Sequence, residues 1–106
     1  YGRSSCPANR DDNAPYSKRV MGADMRAVMA QLGHTRFSVV GHDRGGRVAY
    51  RMALDHPEKV LKYCSIDILP THHVWTHTSH AWCVNSYHWG FMAQPYDFPE
   101  KLLTGL

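Results

Sequence analysis

Gly41-His42-Asp43-Arg44-Gly45 sets an acid between two glycines, with a short apolar run before it and a helical pattern after it. A carboxylate with an unperturbed pKa of roughly 3.9 is ionised at neutral pH, so it can attack carbon without a base to activate it. Displacement of a leaving group from a saturated carbon by Asp43 would produce an ester between protein and substrate. Water must then cleave that ester, a step that calls for a general base, usually a histidine oriented by a second carboxylate. The backbone N–H of Arg44, which follows the acid, is suited to serve as one donor of an oxyanion hole for this hydrolysis. His42 points away from the acid's side of such a turn and reads as support for it rather than as the base. The alternative is a glycine-rich turn whose exposed Asp caps a helix.

The elements that would position Asp43 are legible on both sides of it. Phe37-Ser38-Val39-Val40 is an apolar, β-branched run bounded by turn-formers and reads as a buried strand. Gly41 to Gly46 is the expected turn, with Gly41 and Gly45 lacking the Cβ that would keep strand and helix apart. A helix runs from about Arg44 to Asp55, with Val48, Ala49 and Met52 on one side and Pro57 ending it. The acid would then stand above the carboxyl end of the strand, where open α/β sheets bind ligands and where the helix aims its first N–H groups.

Upstream, residues 1–16 read as a loop. Ser17 caps a helix whose apolar positions Val20, Met21, Met25, Val28, Met29 and Leu32 recur at three- and four-residue steps, and Gly33 closes it. Downstream, Val60 to Leu69 holds a second strand, centred on Cys64 to Ile68. Helix, strand, helix, strand predicts an α/β fold with a parallel sheet and covering helices. After Pro70 the texture changes: histidines alternate with Trp75, Trp82 and Trp89 without strand periodicity, which predicts helices. Pro95 and Pro99 break that region before a last short helix at Glu100 to Leu103.

A net charge of +3, spread without a basic run, gives no support to a nucleic-acid or membrane-surface partner and is compatible with a small anionic substrate. No apolar run approaches the roughly 18 residues of a membrane span. Cys6, Cys64 and Cys83 lack metal or redox spacing and read as reduced thiols of a cytoplasmic protein.

Gly41 to Arg47 strongly resembles the haloacetate (fluoroacetate) dehalogenase branch of the α/β hydrolases. The similarity continues in order through Tyr1-Gly2 with Ser4-Ser5 and Pro7, Tyr16-Ser17, Leu32-Gly33, Ala53-Leu54-Asp55-His56-Pro57, Asp67-Ile68-Leu69-Pro70-Thr71, and His88-Trp89 with Gln94-Pro95. The resemblance implies an internal fragment of that fold, with residues 1–70 a partial core carrying the nucleophile elbow and 71–106 the beginning of a helical cap. It implies hydrolytic dehalogenation of haloacetates through an Asp43 ester. Arg44 and Arg47 would grip the substrate carboxylate through charge-assisted, bidentate bonds. Asp67 would orient a catalytic histidine that is none of the eight here. His88 and Trp89 would donate N–H groups to the departing halide, although Ser86-Tyr87 departs from the two aromatics more usual before them.

The late histidine, a halide-binding tyrosine and the second oxyanion donor would all lie outside this stretch, so the 106-residue polypeptide alone is expected not to turn over. The expected partners are a small anionic halogenated acid and water, with no cofactor and no metal; a homodimer of the full-length enzyme stays open.

Other readings remain at this stage. Asp67 could cap the segment after Pro70, Arg51 reads as solvated helix surface, and His88-Trp89 could be packing alone. An epoxide hydrolase or haloalkane dehalogenase shares the Asp elbow, but typically carries Trp after the nucleophile. His72, His73, His77 and His80 could form a metal-binding module, with His73 and His77 on one helical face. A non-catalytic relative could keep the fold for ligand binding.

Overall fold

Ser17 is extended (φ −66°, ψ 150°) and its side chain accepts from the Val20 N–H at 3.2 Å, so helix α1 (Lys18–Gln31) begins with a satisfied donor. It ends at Gly33, left-handed at φ 85°. The Gly33 N–H donates to the Ala30 carbonyl at 3.0 Å and the His34 N–H to that of Met29 at 2.9 Å, the bond pair of a Schellman cap. Both ends lie where the sequence places them. A single 3₁₀ turn, Ala14–Tyr16, interrupts the expected N-terminal loop. The computed structural model describes residues 2–105.

Strand β1 (Phe37–His42) runs two residues past its expected end, because Gly41 and His42 still pair with β2 (Val60–Ile66). The pairing is parallel, with Val39 opposite Tyr63, Gly41 opposite Ser65 and His42 opposite Ile66. The turn therefore shrinks to Asp43 alone, and α2 (Arg44–Asp55) starts immediately after it, with the bounds expected. Strand β2 stops at Ile66, short of the expected Leu69. There the chain turns at Asp67 (φ 53°), and the Ser65 hydroxyl donates to the Ile68 carbonyl at 2.9 Å, hooking the backbone out of line.

Helix α2 packs on both strands and on α1. Its Ala49 and Met52 are buried, and a Cβ on the buried Gly22 of α1 would meet Met52 Cβ at 3.5 Å, so the two helices approach closely. Arg19 of α1 donates twice to the Asp55 carboxylate, at 2.8 and 3.3 Å, and Arg51 pairs with the same group one turn back along α2. These guanidiniums, Arg19 foremost, hold the Asp55 carboxyl well below the usual carboxylate range. Arg51 is thus half-buried and paired with Asp55, and not the solvated helix surface that its sequence context suggested. On the other face of the sheet, Val40 and Ile66 remain exposed.

The chain divides into two compact units, the first through His73 and the second from Val74. Thr71–Thr76 forms α3, followed in the second unit by α4 (His80–Asn85), α5 (Tyr87–Phe91) and α6 (Phe98–Thr104). Ser79 caps α4 by accepting from the Trp82 N–H at 3.2 Å. Helix α6 begins before the expected Glu100: Pro99 does not break it but sits in its first turn, where a missing N–H costs nothing. Among the described residues no helix is long and apolar enough to cross a membrane.

Candidate active site

Asp43 forms the whole corner between β1 and α2. Its backbone lies at φ 50°, ψ −123°, a strained region that costs a residue with a Cβ about 1–3 kcal/mol. Two backbone bonds hold it there: the Asp43 N–H donates to the Ile66 carbonyl at 3.1 Å, and the Gly46 N–H to the Asp43 carbonyl at 2.9 Å. The carboxylate is exposed and makes no capping bond to α2, which disposes of the helix-cap alternative.

The glycines that permit this corner are not quite those the motif names. A Cβ on Gly41 would lie 2.4 Å from the Gly45 carbonyl oxygen and 2.6 Å from Gly46 Cα, so no side chain fits. Gly46 is the second close approach, its Cβ position 2.3 Å from Ile68 Cγ2 and 3.1 Å from the Gly41 oxygen. Nothing among the described residues comes within 4 Å of a Cβ on Gly45. The expectation that Gly41 and Gly45 form the close pair is corrected to Gly41 and Gly46. The cause is tertiary: Ile68, past the end of β2, leans on the first turn of α2.

Positive charge gathers beside the acid. Arg44 is exposed at the first position of α2, and Arg47 is half-buried one turn on. Burial and repulsion from Arg44 draw the Arg47 guanidinium below its ordinary range, while the Asp43 charge opposes them. Lys18, half-buried at the start of α1, is also held below the usual lysine range, by burial first and then by Arg47 and Arg44. Neither helix carries an acid in its first turn. Sequence reasoning missed Lys18. Its one signal is a cation at the first helical position, where the positive end of the helix disfavours it.

The parallel register brings the two acids to matching stations. His42 pairs with Ile66, so Asp43 and Asp67 each occupy the first position beyond their strand, and both have positive φ. Neighbouring strands lie about 4.8 Å apart, which sets the scale of the separation between these two backbones. The Asp67 side chain is 87% exposed, so burial does not dictate its partner, and the imidazole Nε2 of His42 is 4.0 Å away. His42, expected only to support the turn, is therefore also a neighbour of the second acid.

His88 and Trp89 lie on α5, in the second unit. The His88 ring stands edge-on to Tyr87, their centroids 6.1 Å apart at 86°. Trp89 packs against Trp75 and Trp82. No group of three or more His, Cys, Asp or Glu among the described residues is placed to hold a metal ion, so His72, His73, His77 and His80 do not assemble as the metal-module alternative requires.

The family model of the alpha/beta hydrolase fold matches residues 1–104. The chain belongs to that family. Within the α/β hydrolases it is 46% identical over 103 residues to the fluoroacetate dehalogenase of Burkholderia sp, covering 97% of this chain and 34% of that enzyme. It is 36% identical over 55 residues to the soluble epoxide hydrolase of Corynebacterium sp. (strain C12), covering 52% and 19% respectively. A Nostoc sp PCC 7120 structure assigned to the α/β hydrolases superposes with a TM-score of 0.84 at 50% identity, over 97% of this chain and 35% of that one. The chain thus spans about a third, or less, of the length of these relatives.

Proposed function

We propose that the whole protein hydrolyses haloacetates of the fluoroacetate type through an ester on Asp43. The observation that carries this reading is the carboxylate at a strained strand-to-helix corner, free of capping bonds, with Arg44 and Arg47 in the following turn of helix. The identity to a fluoroacetate dehalogenase supports it. In the proposed reaction the two guanidiniums hold the substrate carboxylate and present its α-carbon for in-line attack. An Asp43 oxygen forms the new C–O bond as the carbon–halogen bond breaks, and the halide leaves with the electron pair. We assign residues 71–106 as the start of a helical cap, and His88 and Trp89 on it as N–H donors suited to a halide. Water then attacks the ester carbonyl carbon and gives its proton to a histidine supplied by the rest of the protein and oriented by Asp67. The Arg44 N–H stabilises the oxyanion; as it collapses the histidine returns its proton to the departing alkoxide, releasing glycolate, and the acid left on Asp43 loses a proton to water to restore the carboxylate.

A second reading, an epoxide hydrolase, is favoured by the Corynebacterium relative. Arg44 argues against it, since a cation pair beside the nucleophile suits an anionic substrate and not a neutral one. The full-length protein assayed on fluoroacetate, a haloalkane and an epoxide separates these readings. Halide release from fluoroacetate that is abolished by Asp43→Asn supports the proposal; turnover of the epoxide alone refutes it.

A further inference from the structure

In the reaction proposed above Asp67 aims a histidine, yet little in its own surroundings aims Asp67. Its backbone is fixed on both sides. The Ile66 carbonyl before it accepts from the Asp43 N–H at 3.1 Å, and the Ile68 carbonyl after it accepts from the Ser65 hydroxyl at 2.9 Å. The side chain is not fixed in this way. It is 87% exposed, and among the described residues its carboxylate meets one partner, the His42 imidazole, with Nε2 4.0 Å from Oδ2. His42 in turn has no other side-chain partner among the described residues.

The two residues come from adjacent strands of one unit. His42 ends β1 opposite Ile66, the last residue of β2, so the ladder sets it beside the residue from which the Asp67 turn departs. At 4.0 Å the pair is within ion-pair range and about 1 Å beyond a hydrogen bond, a gap that rotation of either exposed side chain closes. An ionised carboxylate has two oxygens and only accepts, whereas an imidazole N–H donates. A donor on Oδ2 fixes the plane of the group and leaves Oδ1 for a second histidine.

We propose that His42 is a positioning residue for Asp67, its ring N–H holding one carboxylate oxygen so that the other faces the histidine that activates water. This role rests on the reading of Asp67 as that histidine's orienting acid. Displacement of halide by Asp43 needs no base, whereas hydrolysis of the resulting ester does. Loss of the His42 N–H should therefore slow the second step and spare the first. A distortion of the corner beside Asp43 would slow both.

The test uses the full-length protein in excess over chloroacetate, since chloride leaves more readily than fluoride and ester formation then runs ahead of hydrolysis. Chloride release reads the first step. Decay of the carboxymethyl ester on Asp43, followed by mass spectrometry, reads the second. His42→Ala should slow ester hydrolysis about 10- to 100-fold and change chloride release by less than about threefold. His42→Gln, whose amide N–H replaces the imidazole donor, should recover most of that loss. In an Asp67→Asn background His42→Ala should cost nothing further. If His42→Ala does not fold, His42→Phe carries the same comparison, keeping a ring without an N–H. Equal slowing of both steps, an unchanged hydrolysis rate, no recovery with glutamine, or an added loss in the Asp67→Asn background overturns the positioning role. Normal hydrolysis in Asp67→Asn overturns the reading of Asp67 and the role of His42 with it. Absence of both chloride and ester in the wild type overturns the proposed function itself.

Discussion

Replacing Gly41 with alanine adds one methyl group at the position where the corner can least accept it. The new Cβ would lie 2.4 Å from a backbone oxygen and 2.6 Å from a backbone Cα, so relief must come from main-chain movement and not from a rotamer change. The movement needed is close to 1 Å against an ordinary carbon–oxygen contact, and the segment that must move carries the Asp43–Ile66 and Asp43–Gly46 backbone bonds at 3.1 and 2.9 Å. Overpacking costs about 1–3 kcal/mol and each bond weakened about 1 kcal/mol, so Gly41→Ala should destabilise the full-length protein by about 2–5 kcal/mol. A shift of that size at the nucleophile should also lower kcat about 100-fold or more. Gly22→Ala is the control. Its Cβ would meet Met52 Cβ at 3.5 Å, an ordinary contact, and a helical glycine exchanged for alanine gains about 0.5–1 kcal/mol. Urea unfolding and steady-state halide release read both quantities. The reasoning is refuted if Gly41→Ala matches the wild type in both, or if Gly22→Ala is as damaging as Gly41→Ala.

The remaining expectations concern charge and extent. Because Arg19 and Arg51 depress the Asp55 carboxyl, their stabilising effect is fully present above the ordinary carboxylate value of 3.8 and is lost as pH falls below it. The gap in melting temperature between wild type and Asp55→Asn should therefore hold from neutral pH down to about pH 4 and narrow only below it; a gap that widens on acidification contradicts the clamp. Arg47→Lys keeps the charge but loses the planar fork, and should lower kcat/KM on fluoroacetate about 10- to 100-fold; an unchanged value removes Arg47 from substrate binding. The purified 106-residue polypeptide should release no halide, and measurable turnover would show that the base lies within it.

Local chemistry explains what could be read directly from the sequence. Ser17 and Gly33 mark the ends of α1 because each satisfies backbone groups a few residues away, and α2 declares itself through its apolar face and Pro57. The ends of the strands are set differently. Gly41 and His42 look like turn residues and are drawn into β1 by Ser65 and Ile66, while β2 stops early because Asp67 turns and Ser65 ties down Ile68. The tight role of Gly46 depends on Ile68, and the place of Lys18 beside Arg47 depends on how α1 lies across α2. Both follow from packing between distant segments, for which neighbouring residues carry no signal. The candidate nucleophile was the easier inference, since a corner that needs a glycine at Gly41 leaves its mark within the motif.

Isotope labelling of Asp43 tests the central claim most directly. The full-length protein, present in excess over fluoroacetate, would react in water enriched in oxygen-18, and the peptide containing Asp43 would then be analysed by mass spectrometry. If the ester forms and water attacks its carbonyl carbon, the heavy oxygen enters the Asp43 carboxylate and the first glycolate released is unlabelled. Label found in that first glycolate, with Asp43 unchanged, would mean that water attacks the substrate itself and that Asp43 is not the nucleophile.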